Sequence, residues 1–333
     1  MFIFIIMIIK KIFLLLLFIP FVSISQNDFI GSIERLSIEM DEFISKDSKI
    51  EIIAKGFDWS EGPVWSKKLN AVLFSDVPNN IIYKWDKKNG LNIFLDKIGY
   101  SGIVPNSKKA GTNGLTIDQE GNLIICMHGD RRIVKLIDWN SNKVLPIATS
   151  FNNKLFNSPN DLVYNSKKEL FFTDPPYGLQ NGDNDELKEL QFNGVFRLSP
   201  NGKLKVLIKN LSRPNGIAIS GDEKTLYVAN SDLKNLVIMK YKITDDGVKN
   251  PEVFFDGSVL SKKDIGAFDG LKVHPSGTVF ATGPGGVLLI NNEGNHIGTI
   301  RTEVRSANCA FDDKYEYLYI TSHQYLSRIR IIR

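Results

Sequence analysis

The chain has 333 residues, 43% of them hydrophobic and 23% charged, the balance of a folded globular protein. Its net charge of +4 comes from lysines scattered through turns, such as Lys67-Lys68, Lys87-Lys88 and Lys262-Lys263, which excludes the massed basic footprint of a nucleic-acid binder. Two cysteines, Cys126 and Cys309, sit in or beside apolar runs without CxxC or Cys-plus-His spacing. They argue against zinc or redox work and read as buried thiols, a single disulfide being the other arrangement open to an exported chain.

At the N-terminus, Lys10 and Lys11 precede an apolar run from Ile12 to Val22, followed by Ser23-Ile24-Ser25. A basic start, a short apolar core and small residues at a cleavage point describe a secretory signal peptide over residues 1–25, with Met7 as an equally good start. The alternative is an uncleaved anchor, since Met1 to Val22 is long enough to span a bilayer, but the two lysines interrupt it. Cleavage would lower the net charge from +4 to +2 and leave an exported chain, periplasmic or secreted, with no membrane attachment. Residues 26–48 carry Phe29, Ile33, Leu36 and Met40 at spacings of three and four, which predicts a short amphipathic helix. A strand over Lys49–Ala54 follows, and residues 49–333 form one domain.

That domain is repetitive. Six times, at intervals of 39 to 55 residues, an acidic or amide side chain stands just before an apolar stretch: Glu61, Asn113, Asn160, Asn215, Asp269 and Asn308. Each is followed by a polar turn and a second apolar run, as in TIDQEGNLIIC and KVHPSGTVFAT. Paired strands at this period are the signature of propeller blades, so the fold class is all-β, a six-bladed β-propeller preceded by the short N-terminal helix. The Lys49–Ala54 strand is placed to complete the last blade, which ends in YLSRIRIIR, and so to close the ring. Blade three carries a long insertion beginning Asp174-Pro175-Pro176-Tyr177-Gly178. The two prolines stiffen it, so that Tyr177 could wall a pocket.

Equivalent positions in radially arranged blades point at one axis. The six side chains would then offer oxygen atoms, two of them carboxylates, to a hard divalent cation. With no histidine or cysteine in the set, calcium or magnesium is favoured over zinc. Taken singly, Asn-Gly and Asp-Gly are turn dipeptides. Six in register, together with Glu61, which turn chemistry does not call for, carry the argument. A metal-polarised carbonyl would be attacked by water, with Asp269 as base and Asn160 or Asn113 donating to the oxyanion. His128 and His323 each end an apolar strand run and are candidates to line the pocket. No GxSxG is present, so serine-esterase chemistry is not expected.

EGPVW, LFSDVPNNIIYKWD, NDL, RPNGIAIS and FDGLKVHPSG resemble the senescence marker protein, gluconolactonase and luciferin-regenerating enzyme family. DWSEGPVW and FFTDPPYGL are most similar to its bacterial gluconolactonase branch, and the resemblance runs from about residue 40 to the C-terminus. It implies a propeller that binds one divalent metal, calcium first, and hydrolyses small lactones such as gluconolactone. By position it places metal ligands on Glu61, Asn215 and Asp269, a substrate-contacting amide on Asn160, and the acid/base on Asp269. Members that prefer sugar acids can carry Arg two residues before the Asn160 position, where this chain has Ser158. Two readings compete: a non-catalytic propeller whose ion stabilises a protein- or glycan-binding scaffold, and a metal-free enzyme of the strictosidine synthase type. The paired acids count against the second.

Overall fold

Strand-forming Ile, Val, Phe and Tyr alternate with turn residues along nearly the whole chain, and the backbone follows that pattern into six antiparallel blade sheets and one small hairpin of Ser150–Phe151 with Lys154–Leu155. The structure is a computed structural model that describes residues 28–106, 108 and 110–332. Blade one comprises Ser60–Ser66, Ala71–Asp76, Ile81–Asp86 and Gly90–Asp96, and blade two runs from Thr112–Ile117 to Val144–Ala148. Blade three runs from Leu162–Tyr164 to Leu204–Ile208 and blade four from Pro214–Ile219 to Gly247–Asp256. Blade five begins at Leu271–Val273, and blade six at Ser306–Phe311. Each interface between neighbouring blades buries its own apolar cluster, for example Leu73, Leu115 and Val134 between blades one and two. Phe172, Phe156 and Phe196 pack with Cys126 between blades two and three. Both cysteines are buried free thiols.

The ring closes as the sequence predicts. Ile50–Lys55 pairs with Tyr325–Arg330, so chain segments from both ends complete blade six.

The predicted helix over 26–48 is not what forms. Asp28–Ile30 adds a fifth strand to blade six by pairing with Ile50–Lys55, and Ser32–Arg35 adds a fifth strand to blade five by pairing with His296–Arg301. Only Ile38–Glu42 is helical, as one 3-10 turn capped by Ser37, whose Oγ accepts from the Glu39 amide at 3.2 Å. Two unpaired sheet edges stood within reach, and their backbone groups outweighed a weak helical periodicity. Phe29 and Leu36, half of the supposed apolar face, are 52% and 56% exposed. The burial comes later, where Met40, Phe43 and Ile44 fill the groove between blades five and six. This segment therefore staples two neighbouring blades together and belongs to the propeller. The expected signal segment, residues 1–25, lies outside the described residues. No helix among the described residues is long and apolar enough to cross a membrane.

Candidate active site

The innermost strand of a blade would normally aim alternate side chains into the two flanking interfaces, not along the axis. In four blades the ladder skips residues where the repeated polar residue falls: between Glu61 and Val64, Thr112 and Leu115, Pro214 and Ile217, and Ser306 and Asn308. Such bulges re-aim side chains. In blades three and five the inner strand begins only after Asn160 and Asp269.

Hydroxyls on the second strands then pin the ring from behind. Ser75 Oγ donates to the Asn113 carbonyl at 2.7 Å, Thr173 Oγ1 to that of Asn215 at 2.6 Å, and Thr321 Oγ1 to that of Asn308 at 3.1 Å.

The glycine after the polar residue has a different purpose from the turn that Asn-Gly suggests. The Gly114 and Gly216 amides donate to the carbonyls of Asn160 and Asp269 on the next blade, at 2.8 and 2.9 Å. A Cβ at either glycine would lie 2.3 or 2.1 Å from that same carbonyl oxygen. Only glycine lets the blades approach this closely at the axis.

The ring forms the floor of a cavity of about 770 Å³. Glu61, Asn113, Asn160, Asn215 and Asp269 all line it, and His128 and Tyr177 wall it. Glu61 and Asp269 are buried and close enough to share a proton, and Asp161 lies near both. Burial first, then the Asp161 charge, pushes the Glu61 carboxyl up to about 7. Asp269 is held well above the usual carboxylate range by burial and by Glu61. Asn215 hydrogen-bonds Asp269, yet its own Oδ1 has no partner. The Oδ1 atoms of Asn113 and Asn160 are also buried without one. Buried polar atoms are seldom left so, and three in the lining that also holds two crowded carboxylates form an oxygen-only set suited to a hard cation. Among the described residues no group of three or more His, Cys, Asp or Glu is arranged to hold a metal, so such a cage must draw on its amides.

Asn308 has another role. Its Nδ2 reaches Glu61 Oε2 at 3.3 Å and Asp161 Oδ2 at 3.5 Å, while its Oδ1 accepts from Lys272 Nζ at 3.2 Å. Lys272 Nζ also lies 3.9 Å from Asp161 Oδ2 and lines a second cavity, of about 430 Å³, at the opposite mouth. Asn308, Asp161 and Lys272 thus make an ion-paired plug beneath the floor. The sequence reading missed Asp161 and Lys272, which follow Asn160 by one residue and Asp269 by three.

His128 is buried with Nε2 unpartnered, and burial pushes its imidazole down to about 3, so it stays neutral at working pH. His323 is not in the cavity lining, a correction to the sequence reading. It turns at φ +47 on the exposed rim, with its ring 5.7 Å from and perpendicular to that of Trp59, which does line the cavity. Ser158 does not reach inward: its Oγ donates to the Pro175 carbonyl at 2.5 Å and accepts from the Gly178 amide at 2.8 Å. It therefore fastens the proline loop. Asp174 fastens it too, accepting from the Asn157 and Ser158 amides at 2.8 Å each.

The family model of the SMP-30/gluconolactonase/LRE-like region matches residues 59–324. Over 308 residues the chain is 36% identical to the gluconolactonase of Zymomonas mobilis, covering 90% of this chain and 86% of that protein. Among solved structures, a gluconolactonase from Xanthomonas campestris matches with a TM-score of 0.81 at 25% identity, covering 92% of this chain and 98% of that one. A putative gluconolactonase matches with a TM-score of 0.79 at 27% identity, over 90% and 98%. With the matched region spanning all six blades, the chain belongs to the SMP-30/gluconolactonase/LRE-like family.

Proposed function

We propose that the protein is a divalent-cation-dependent lactonase, with calcium the cation its cage suits best and Asp269 its acid/base. That it is an enzyme of the gluconolactonase type follows from the family and from the Zymomonas relative. Cation dependence and the role of Asp269 are our reading. The observation that carries it is the set of three partnerless, buried amide oxygens, on Asn113, Asn160 and Asn215, lining the same cavity as the Glu61–Asp269 carboxylate pair.

Glu61, Asn215 and Asp269 would hold the ion directly. Bound there, a divalent cation supplies Lewis-acid polarisation of an ester carbonyl and balances the two carboxylates. The chain's own groups do the rest. The Asp269 carboxylate takes a proton from the attacking water, whose oxygen bonds to the carbonyl carbon. The ring C–O bond then breaks, and Asp269 returns the proton to the departing oxygen. Amide N–H groups of Asn160 and Asn113 face the developing oxyanion. His128, neutral, and Tyr177, whose hydroxyl bonds Ser231, shape the wall against a small polar ring. The substrate class suggested by the relatives is a gluconolactone-like sugar lactone, and the basic-apolar segment of residues 1–25 suggests an exported enzyme.

Chelation followed by stepwise addition of Ca²⁺, Mg²⁺ or Zn²⁺, with gluconolactone hydrolysis as readout, tests this reading. Activity should vanish with chelator and return with calcium. A chelator-resistant enzyme, or a Glu61→Ala variant of undiminished activity, overturns the cage. A propeller that turns over no lactone with any ion is a scaffold instead.

A further inference from the structure

We propose that the preferred substrate is a lactone bearing a second, anionic substituent, a carboxylate or phosphate, received at the cavity mouth by Arg305 and Lys108. The inference rests on the lactonase reading and narrows its substrate class.

Charge is unevenly distributed from the cavity floor to its mouth. Glu61 and Asp269 are matched by the divalent cation. Asp161 is matched by Lys272 beneath them. One other carboxylate lines the cavity, Asp264, and Arg301 holds it at 2.9 Å, an arginine it shares with Glu34 on the outer edge of blade five. His128 adds no charge at working pH.

What remains is cationic. Arg305 and Lys108 line the cavity, and neither has a carboxylate partner among the described residues; the Lys108 ammonium donates only to the Tyr177 carbonyl, at 3.0 Å. Arg305 precedes blade six and Lys108 precedes blade two, so the two flank blade one, which carries Trp59 and Glu61. Once the cage is filled, the cavity presents a neutral floor and a positive mouth. Such a field concentrates anionic ligands, and a guanidinium matches the fork geometry of carboxylate or phosphate. A neutral sugar lactone would gain nothing from either group. Ser158, fastened to the proline loop, supplies no cation in their place. Hydrolysis adds water across the ring ester, hydroxyl to the carbonyl carbon and proton to the ring oxygen, and releases a product with two acidic groups. The upstream reaction must accordingly be the oxidation of an already acidic sugar at its anomeric carbon.

The test compares kcat/KM of the calcium-loaded full chain on 6-phosphogluconolactone and glucarolactone with that on gluconolactone. At least one anionic lactone should be preferred by about tenfold, the worth of one charge-assisted contact. Salt at about 0.5 M should shrink the preference. In R305Q and K108Q the anionic-to-neutral ratio should fall through KM rather than kcat. Loss of preference on the phosphate arm alone, or the carboxylate arm alone, identifies the group. Equal kcat/KM values, or a ratio unmoved in both variants, overturn the proposal. Titration calorimetry with 6-phosphogluconate and glucarate separates it from the lactonase reading. Arg305-dependent binding without turnover of any lactone would leave the anion site standing and remove the enzyme. Absence of binding would remove the site.

Discussion

Stripping the cation should make this protein's stability fall as pH rises toward neutrality, opposite to the usual effect of a salt-bridged carboxylate. In the metal-free fold Glu61 titrates near 7, whereas its ordinary value is 4.5. Below pH 4.5 both folded and unfolded chains hold the proton, and the full stability is present. Between 4.5 and 7 the unfolded chain ionises while the folded one keeps its proton, so unfolding becomes progressively more favourable. Above 7 the loss is complete. At roughly 1.4 kcal/mol per pKa unit it amounts to about 3 kcal/mol for Glu61 alone. Asp174, also pushed up to about 7 by burial, and Asp269, held well above its ordinary range by burial and by Glu61, act in the same direction. The assay is therefore a difference: urea midpoints of chelated wild type and of Glu61→Gln, across pH 4.5 to 8. Glu61→Gln keeps the Asp174 contribution, lacks that of Glu61 and relieves Asp269 of its neighbour's charge, so the two curves should converge in acid and separate by pH 7. In the proposed cage calcium binds the ionised pair, so its stabilisation of the wild type should be small near pH 5 and grow through 7. Parallel pH profiles for the two proteins, or a calcium increment independent of pH, would refute the carboxylate pairing on which the cage depends.

Asp269→Asn at saturating calcium should lower kcat by about a hundredfold or more, the usual range for a lost general base, and stopped-assay kinetics read this directly. Gly216→Ala places a Cβ 2.1 Å from the Asp269 carbonyl oxygen and should weaken calcium binding, seen by titration calorimetry, while Gly221→Ala, open on all sides, should not. Lys272→Met leaves Asp161 without its cation and Asn308 Oδ1 with only the Cys309 amide, and should cost the metal-free protein on the order of 1–3 kcal/mol, measured by denaturant midpoint and partly restored by calcium.

The blades were readable because their signals are local. A strand, a polar turn and a second strand recur in each unit, and the repeat alone counts the blades. The ring was readable for the same reason: Glu61, Asn113, Asn160, Asn215 and Asp269 share one position in the repeat, and five blades deliver them to one floor. The N-terminal segment was not. Residues 28–35 have no repeat to follow: Asp28–Ile30 takes the free edge offered by Ile50–Lys55, and Ser32–Arg35 takes that of His296–Arg301, more than 260 residues away in sequence. Local periodicity carries no information about an edge that distant.

The plug beneath the floor failed for another reason. Strand alternation predicts that Asp161, one residue after Asn160, faces away from the axis. That rule fails because the inner strand of blade three begins only at Leu162, which leaves both side chains free to turn inward. Lys272 lies inside its strand, yet its long stem carries the ammonium back to Asn308 and Asp161. Repeat position therefore locates the proposed ligands, while irregular strand starts and long side chains decide the counter-charge. A site built by symmetry owes its net charge to residues that break the symmetry: in the proposed cage, Asp161 and Lys272 cancel, which leaves the two carboxylates of Glu61 and Asp269 for a divalent ion to balance.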